Sequence, residues 1–280
     1  MLVRQKVGSR MGDISSAAYE LRSRILTMSL QATALNVQTV KALYEEVSTI
    51  SSITFTESHE TDCWTSITQN GQTLIGTSPT KNPAAALAHE LLHAKLKLAG
   101  YRQICLFVSK PMHGPMLKSH LEVLDNELQH HRMFEHYIAL GLPSKNFYCD
   151  KDANTFKRIR RELGRLKRSD PFDFFLPIFL SVIAQGGAGT ETERQQLRRY
   201  FATRCSLRCW NKLLQVEAAF VDWRTSSNID PSETIKCVLS SSDLIDRAWI
   251  GEHRSEFPAS GFFIGSPFSF EEAQAWRGLD

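Results

Sequence analysis

The stretch Asn82-Pro83-Ala84-Ala85-Ala86-Leu87-Ala88-His89-Glu90-Leu91-Leu92-His93-Ala94-Lys95-Leu96-Lys97-Leu98-Ala99-Gly100 decides how this chain is read. Asn82 is a capping side chain ahead of Pro83, a residue that loses nothing at the first helical position. Ala84 to Leu98 holds no glycine, proline or β-branched residue, and Gly100 stands where a left-handed residue would end the helix. The spacing predicts a helix with His89-Glu90-Leu91-Leu92-His93 in its middle. On it His89 and His93, at i and i+4, lie one above the other and can clamp one zinc ion, while Glu90 can reach a water on that ion. A helix this apolar is expected to be buried. Two histidines and a carboxylate are costly to bury without a partner, and a metal supplies one.

Upstream, Ile53 to Phe55 and Cys63 to Ile75 read as strands, the second broken by Asn70-Gly71, a strong two-residue hairpin signal. Downstream, Leu117 to Leu142 reads as a second long helix closed by Gly141. Laid out at about 100° per residue, Leu121, Leu124 and Leu128 form an apolar stripe. Glu127 and His131 fall inside that sector; Glu122, Asp125 and Asn126 fall outside it. A catalytic zinc takes three protein ligands and keeps one position for water. Glu127 is the first choice for the third, and His130, one turn after Asn126, is the alternative.

The motif helix followed by Asn126-Glu127 on a second helix resembles the glutamate-zincin arrangement of H-E-x-x-H zinc metallopeptidases. Over residues 36 to 142 the layout of short helix, strands, motif helix and glutamate helix is similar to the ImmA/IrrE-like peptidases. Where that family usually carries Glu-Ala-Asn-x-Phe-Ala, this chain has Glu127-Leu128-Gln129-His130-His131-Arg132. The resemblance implies an α+β fold, with a zincin-like catalytic half over 1–145 and a mainly helical region over 146–280. It implies Zn2+ on His89, His93 and Glu127, with Glu90 as general base in hydrolysis of a specific intracellular protein or peptide substrate. His131 or Tyr101 would then donate to the oxyanion. Two alternatives stand beside it. His113-Gly114 resembles the third-ligand element of SprT-like proteases, which act on DNA-associated proteins; otherwise the zinc belongs to a non-catalytic regulatory protein.

The whole chain bounds these readings. Its 280 residues, 42% hydrophobic and 22% charged, suffice for a substantial core. A net charge of +3 is too small to imply nucleic acid by itself. Six cysteines without a C-x-x-C pair read as free thiols, Cys205 and Cys209 on one helix among them. Arg4, Lys6 and Arg10 precede no apolar run, so no secretory signal is seen and a cytoplasmic protein is expected. Ala18, Leu21 and Ile25 suggest an opening helix, and Asn36 to Val47 a second. Beyond Pro143, Ile159 and Leu163 repeat at helical spacing beside a basic stripe of Arg158, Arg161, Arg165 and Arg168, read as a solvated face. Phe172 to Ala184 holds Asp173 and Pro177 and is too short to span a bilayer, so it reads as a core helix. Gly186-Gly187-Ala188-Gly189 reads as a hinge or linker before the capping box Thr190-x-x-Glu193. A helical segment with Leu197 to Phe220 follows, then one helix over Pro231 to Ile250 and a last short one over Ser269 to Trp276.

Overall fold

The computed structural model describes residues 25, 27–57, 63–102, 104–108, 114–148, 155–187 and 189–275. Of the expected opening helix, Ala18 and Leu21 lie outside them, as does the candidate ligand His113, while Ile25 is helical and exposed rather than buried. The fold is α+β, and contacts divide it into two compact units that interleave in sequence: 1–98 with 140–151, and 99–139 with 152–280. No helix among the described residues is long and apolar enough to cross a membrane.

In the first unit, α1 (Gln38–Ser48) precedes a three-stranded sheet of β1 (Ser52–Glu57), β2 (Thr65–Gln69) and β3 (Gln72–Thr77), in the order β1-β3-β2. β2 and β3 are the expected hairpin, with Asn70 at φ 50 and Gly71 at φ 70 making its turn. Each strand alternates an inward and an outward side chain, so Ile53, Phe55, Ser66 and Ile75 share the covered face. α2 (Pro83–Leu98) packs against α1 and β2 and starts and stops where its sequence says, with Gly100 at φ 107 beyond its end. Lys95 pairs with Glu46 of α1 at 2.7 Å. Residues 140–148 return to this unit: Thr39 donates to the Leu140 carbonyl at 2.7 Å, and Asn146 reaches Asn82 at 3.4 Å.

The second unit holds β4 (Cys105–Val108), α3 (Gly114–Ala139), α4 (Phe156–Arg165), α5 (Phe172–Ile183), α6 (Glu191–Arg204), α7 (Leu207–Thr225), α8 (Ser232–Leu239), β5 (Ala248–Gly251), β6 (Phe262–Ile264) and α9 (Phe270–Ala275). Its core is aromatic, with Phe172, Phe175, Phe179, Phe201 and Phe220 fully enclosed. α3 packs on α5 and α7, so the second long helix belongs with the C-terminal helices. The capping box of Thr190 and Glu193 forms as expected. The expected helix through Cys205 breaks there, because Ser206 caps a new helix through the Cys209 N–H at 3.2 Å.

Two sequence expectations are corrected here. Gly186, first of the glycine run, is packed: at φ 74, a Cβ on it would stand 2.4 Å from the Phe134 ring, so glycine is needed for close approach as well as backbone freedom. The helix expected over Pro231 to Ile250 ends at Leu239, and 248–251 form the central strand of a sheet ordered β4-β5-β6. The chain turns between them because Ser242 accepts from the Leu244 and Ile245 N–H groups and donates to Asp173. Asp173 also accepts the Asp243 N–H at 2.8 Å, while Asp243 accepts the Phe172 N–H at 3.0 Å. That reciprocal clamp is why a carboxylate 1% exposed is tolerated in α5. Asp173→Ala orphans the buried groups it serves and should cost about 2–3 kcal/mol, with Asp173→Asn costing less. Urea unfolding checks this against the exposed control Ser169→Ala; a midpoint equal to that control's would show the clamp to be idle.

Candidate metal centre

α2 is enclosed on every side: residues 85–92 are buried without a break. His89 and Glu90 keep only 8% and 7% exposure. The Nε2 atoms of His89 and His93 face each other at 3.1 Å. Two nitrogens each 2.0–2.1 Å from a tetrahedral zinc stand about 3.3 Å apart, so the pair is already at ligand spacing. The His89 ring rests against Phe147, centroids 4.9 Å apart, which limits its swing. Glu90 Oε2 accepts the Ser66 hydroxyl at 2.8 Å, tying the carboxylate to the covered face of β2. Sequence reasoning named neither Phe147 nor Ser66. Strand alternation marks Ser66 as inward once β2 is placed; nothing local marks Phe147.

On α3 the run 127–131 is buried at every position, Gln129 and His131 included. Glu127 and His130, at i and i+3, touch: Oε1 lies 3.5 Å from Nδ1. Among the described residues one group of three metal-ligating side chains draws together, His89, His93 and His130, with a ligand atom of each within 4.8 Å of the others. This buried set can hold a metal ion. It contains the alternative third ligand, His130, and leaves the first choice, Glu127, at the Nδ1 edge of that imidazole.

The rest of α3 is held by its own unit. Trp223 donates to the Leu128 carbonyl at 2.9 Å, and Arg132 donates to the carbonyls of Ser226 and Asn228 while lying over the Trp223 ring. The Tyr101 hydroxyl, expected to serve an oxyanion, donates to the Asp125 carboxylate at 2.7 Å. Burial first, then that carboxylate, push its pKa well above the usual tyrosine value. His131 packs on Phe220, and burial pulls its pKa down to about 4. His120, Tyr137 and Asp173 are the other buried ionisable groups of α3 and α5, and among the described residues Cys205 and Cys209 join no group of three metal-ligating side chains.

Comparison with protein-family models, curated proteins and solved structures finds no match for this chain, and its chemistry is read from its own side chains.

The geometry ranks the ligands by experiment. His130→Ala should lower zinc affinity more than a hundredfold, as removal of a direct ligand does. Glu127→Ala should lower it by about 10–100-fold, the usual cost of losing a carboxylate behind a ligating histidine. Both are compared under one competing chelator, with circular dichroism as the folding control. Loss of metal by Glu127→Ala with retention by His130→Ala would return the glutamate to the ligand position.

Proposed function

We propose that this chain is a zinc-dependent metallopeptidase in which His89, His93 and His130 hold the ion and Glu127 orients His130. The observation that carries the reading is the facing pair of imidazole nitrogens at 3.1 Å, with the neighbouring carboxylate of Glu90 buried and fixed by Ser66. Three nitrogen ligands are the donor set that leaves a fourth position open, the arrangement of catalytic rather than structural zinc. When bound, zinc supplies a Lewis acid and brings a water toward a pKa of about 7.

The chain's own groups do the rest. Glu90, next to His89, accepts the proton of the attacking water and passes it to the leaving amine. Ser66 holds one carboxylate oxygen so that the base does not swing away between turnovers. Phe147 keeps bulk water from one side of His89. β2 is an edge strand of its sheet and carries Ser66, so an extended peptide pairing with β2 runs beside the base. This favours a peptide over a compact amide or ester as substrate.

Glu90→Gln keeps the side-chain shape and the Ser66 contact but cannot accept the proton. It should retain zinc and fold while turnover falls on the order of a thousandfold or more. The assay is cleavage of a proteome-derived peptide pool, read by mass spectrometry on zinc-loaded protein. Undiminished cleavage by the variant assigns the base elsewhere. A zinc-loaded wild type that cuts nothing supports the non-catalytic zinc-binding alternative.

A further inference from the structure

α7 has two apolar faces and the fold uses one. Cys209, Leu213, Val216, Phe220 and Trp223 form the buried stripe. Laid out at about 100° per residue, a second stripe runs nearly opposite: Leu207, Asn211, Leu214, Ala218, Val221 and Thr225, every one exposed. Leu207, Leu214 and Val221 keep 71%, 36% and 47% exposure. The steps along this stripe are four, three, four, three and four residues, the seam of a two-stranded coiled coil, about 27 Å long at 1.5 Å per residue. A surface helix needs only its inward stripe.

We propose that the outer stripe of α7 pairs with α7 of a second copy of this chain, antiparallel about a two-fold axis near Val216. The charges choose the occupant and its direction. Arg208, Gln215 and Asp222 flank one side of the stripe, all exposed; Trp210, Glu217 and Arg224 flank the other. In antiparallel pairing each flank meets its own counterpart, so Arg208 faces Asp222 of the second copy, twice by symmetry, and Gln215 meets Gln215 at the axis. On the other flank Trp210, half-buried with its ring against Phe179, comes level with Arg224 of the second copy and adds no like charge there. Glu217 meets its own counterpart, and Arg198 of the same chain already neutralises it through a two-pronged ion pair. Parallel pairing instead sets Glu217 against Asp222, like against like.

The seam agrees with that direction. Antiparallel layers place Leu214 against Ala218, Leu207 against Thr225 and Val221 against Asn211, large against small in two layers of three. Asn211 lowers stability and fixes register, as a polar seam residue does. One helix pair buries less than the roughly 1,200–2,000 Å² of a standard interface. The dimer is therefore reversible, with a dissociation constant on the order of 10 µM. It is independent of the catalytic reading.

Sedimentation equilibrium of the full chain from about 1 to 200 µM tests it. A reversible monomer–dimer equilibrium is expected. Leu214→Glu should give monomer throughout, with an unchanged melting temperature as the folding control. Arg208→Glu and Asp222→Arg, both at exposed side chains and each checked for an unchanged melting temperature, should each weaken the dimer about tenfold, and the double variant should return to within about threefold of wild type. A wild type monomeric to 200 µM, a dimer indifferent to Leu214→Glu, or a double variant weaker than either single one would overturn the proposal.

Discussion

The buried run 85–92 of α2 is the constraint around which the first unit is arranged. A helix with a solvent face can turn its polar side chains outward; this one has no such face over two turns, so His89 and Glu90 must be matched by what packs on them. The matching is specific. β2 places a serine rather than an aliphatic side chain under Glu90, and the returning segment 140–148 places Phe147 on His89. On the same sheet Thr73 shares hydrogen bonds with Ser51 and Thr68. The two imidazole nitrogens face each other at 3.1 Å, a spacing at which one cation could be shared between them.

What was legible in the sequence was local. Asn82-Pro83 and Gly100 bound α2, Asn70-Gly71 set the hairpin, and Thr190 with Glu193 started α6, because caps and tight turns are decided by residues within a few positions of each other. What was not legible was nonlocal. β5 pairs with β4, more than a hundred residues earlier, and Ala248-Trp249-Ile250 is a short apolar run whose periodicity does not separate strand from helix. The aromatic cluster of Trp249, Phe257, Phe263 and Phe268 then makes a small core of its own that no helical pattern announces. Gly186 was misread as linker for a related reason: a hinge and a close-packed crossing use the same residue, and the Phe134 ring distinguishes them.

The choice between Glu127 and His130 shows the same boundary inside one helix. A helical projection sorts side chains by an apolar sector, which works when one face is buried. Over 127–131 every face of α3 is buried, and Glu127 and His130, at 6% and 3% exposure, are not separated by burial at all. Their i, i+3 spacing puts both on one side, touching at 3.5 Å. Reach and chemistry separate them instead. The imidazole converges with the other two histidines, and the carboxylate sits where a hydrogen-bonding partner for a ligating histidine belongs.

The helix that carries His130 owes its position largely to α7. Trp223 binds the Leu128 carbonyl, Phe220 packs on His131, and Arg132 spans from the Trp223 ring to the carbonyls just past the end of α7. These contacts surround His130 within one turn on either side, and Tyr101 with Gln129 fixes Asp125 ahead of it. A ligand is useful only if its supporting side chains hold it to within a fraction of an ångström. The inner stripe of α7 thus holds the helix that carries His130, so whatever covers its outer stripe bears on the same element.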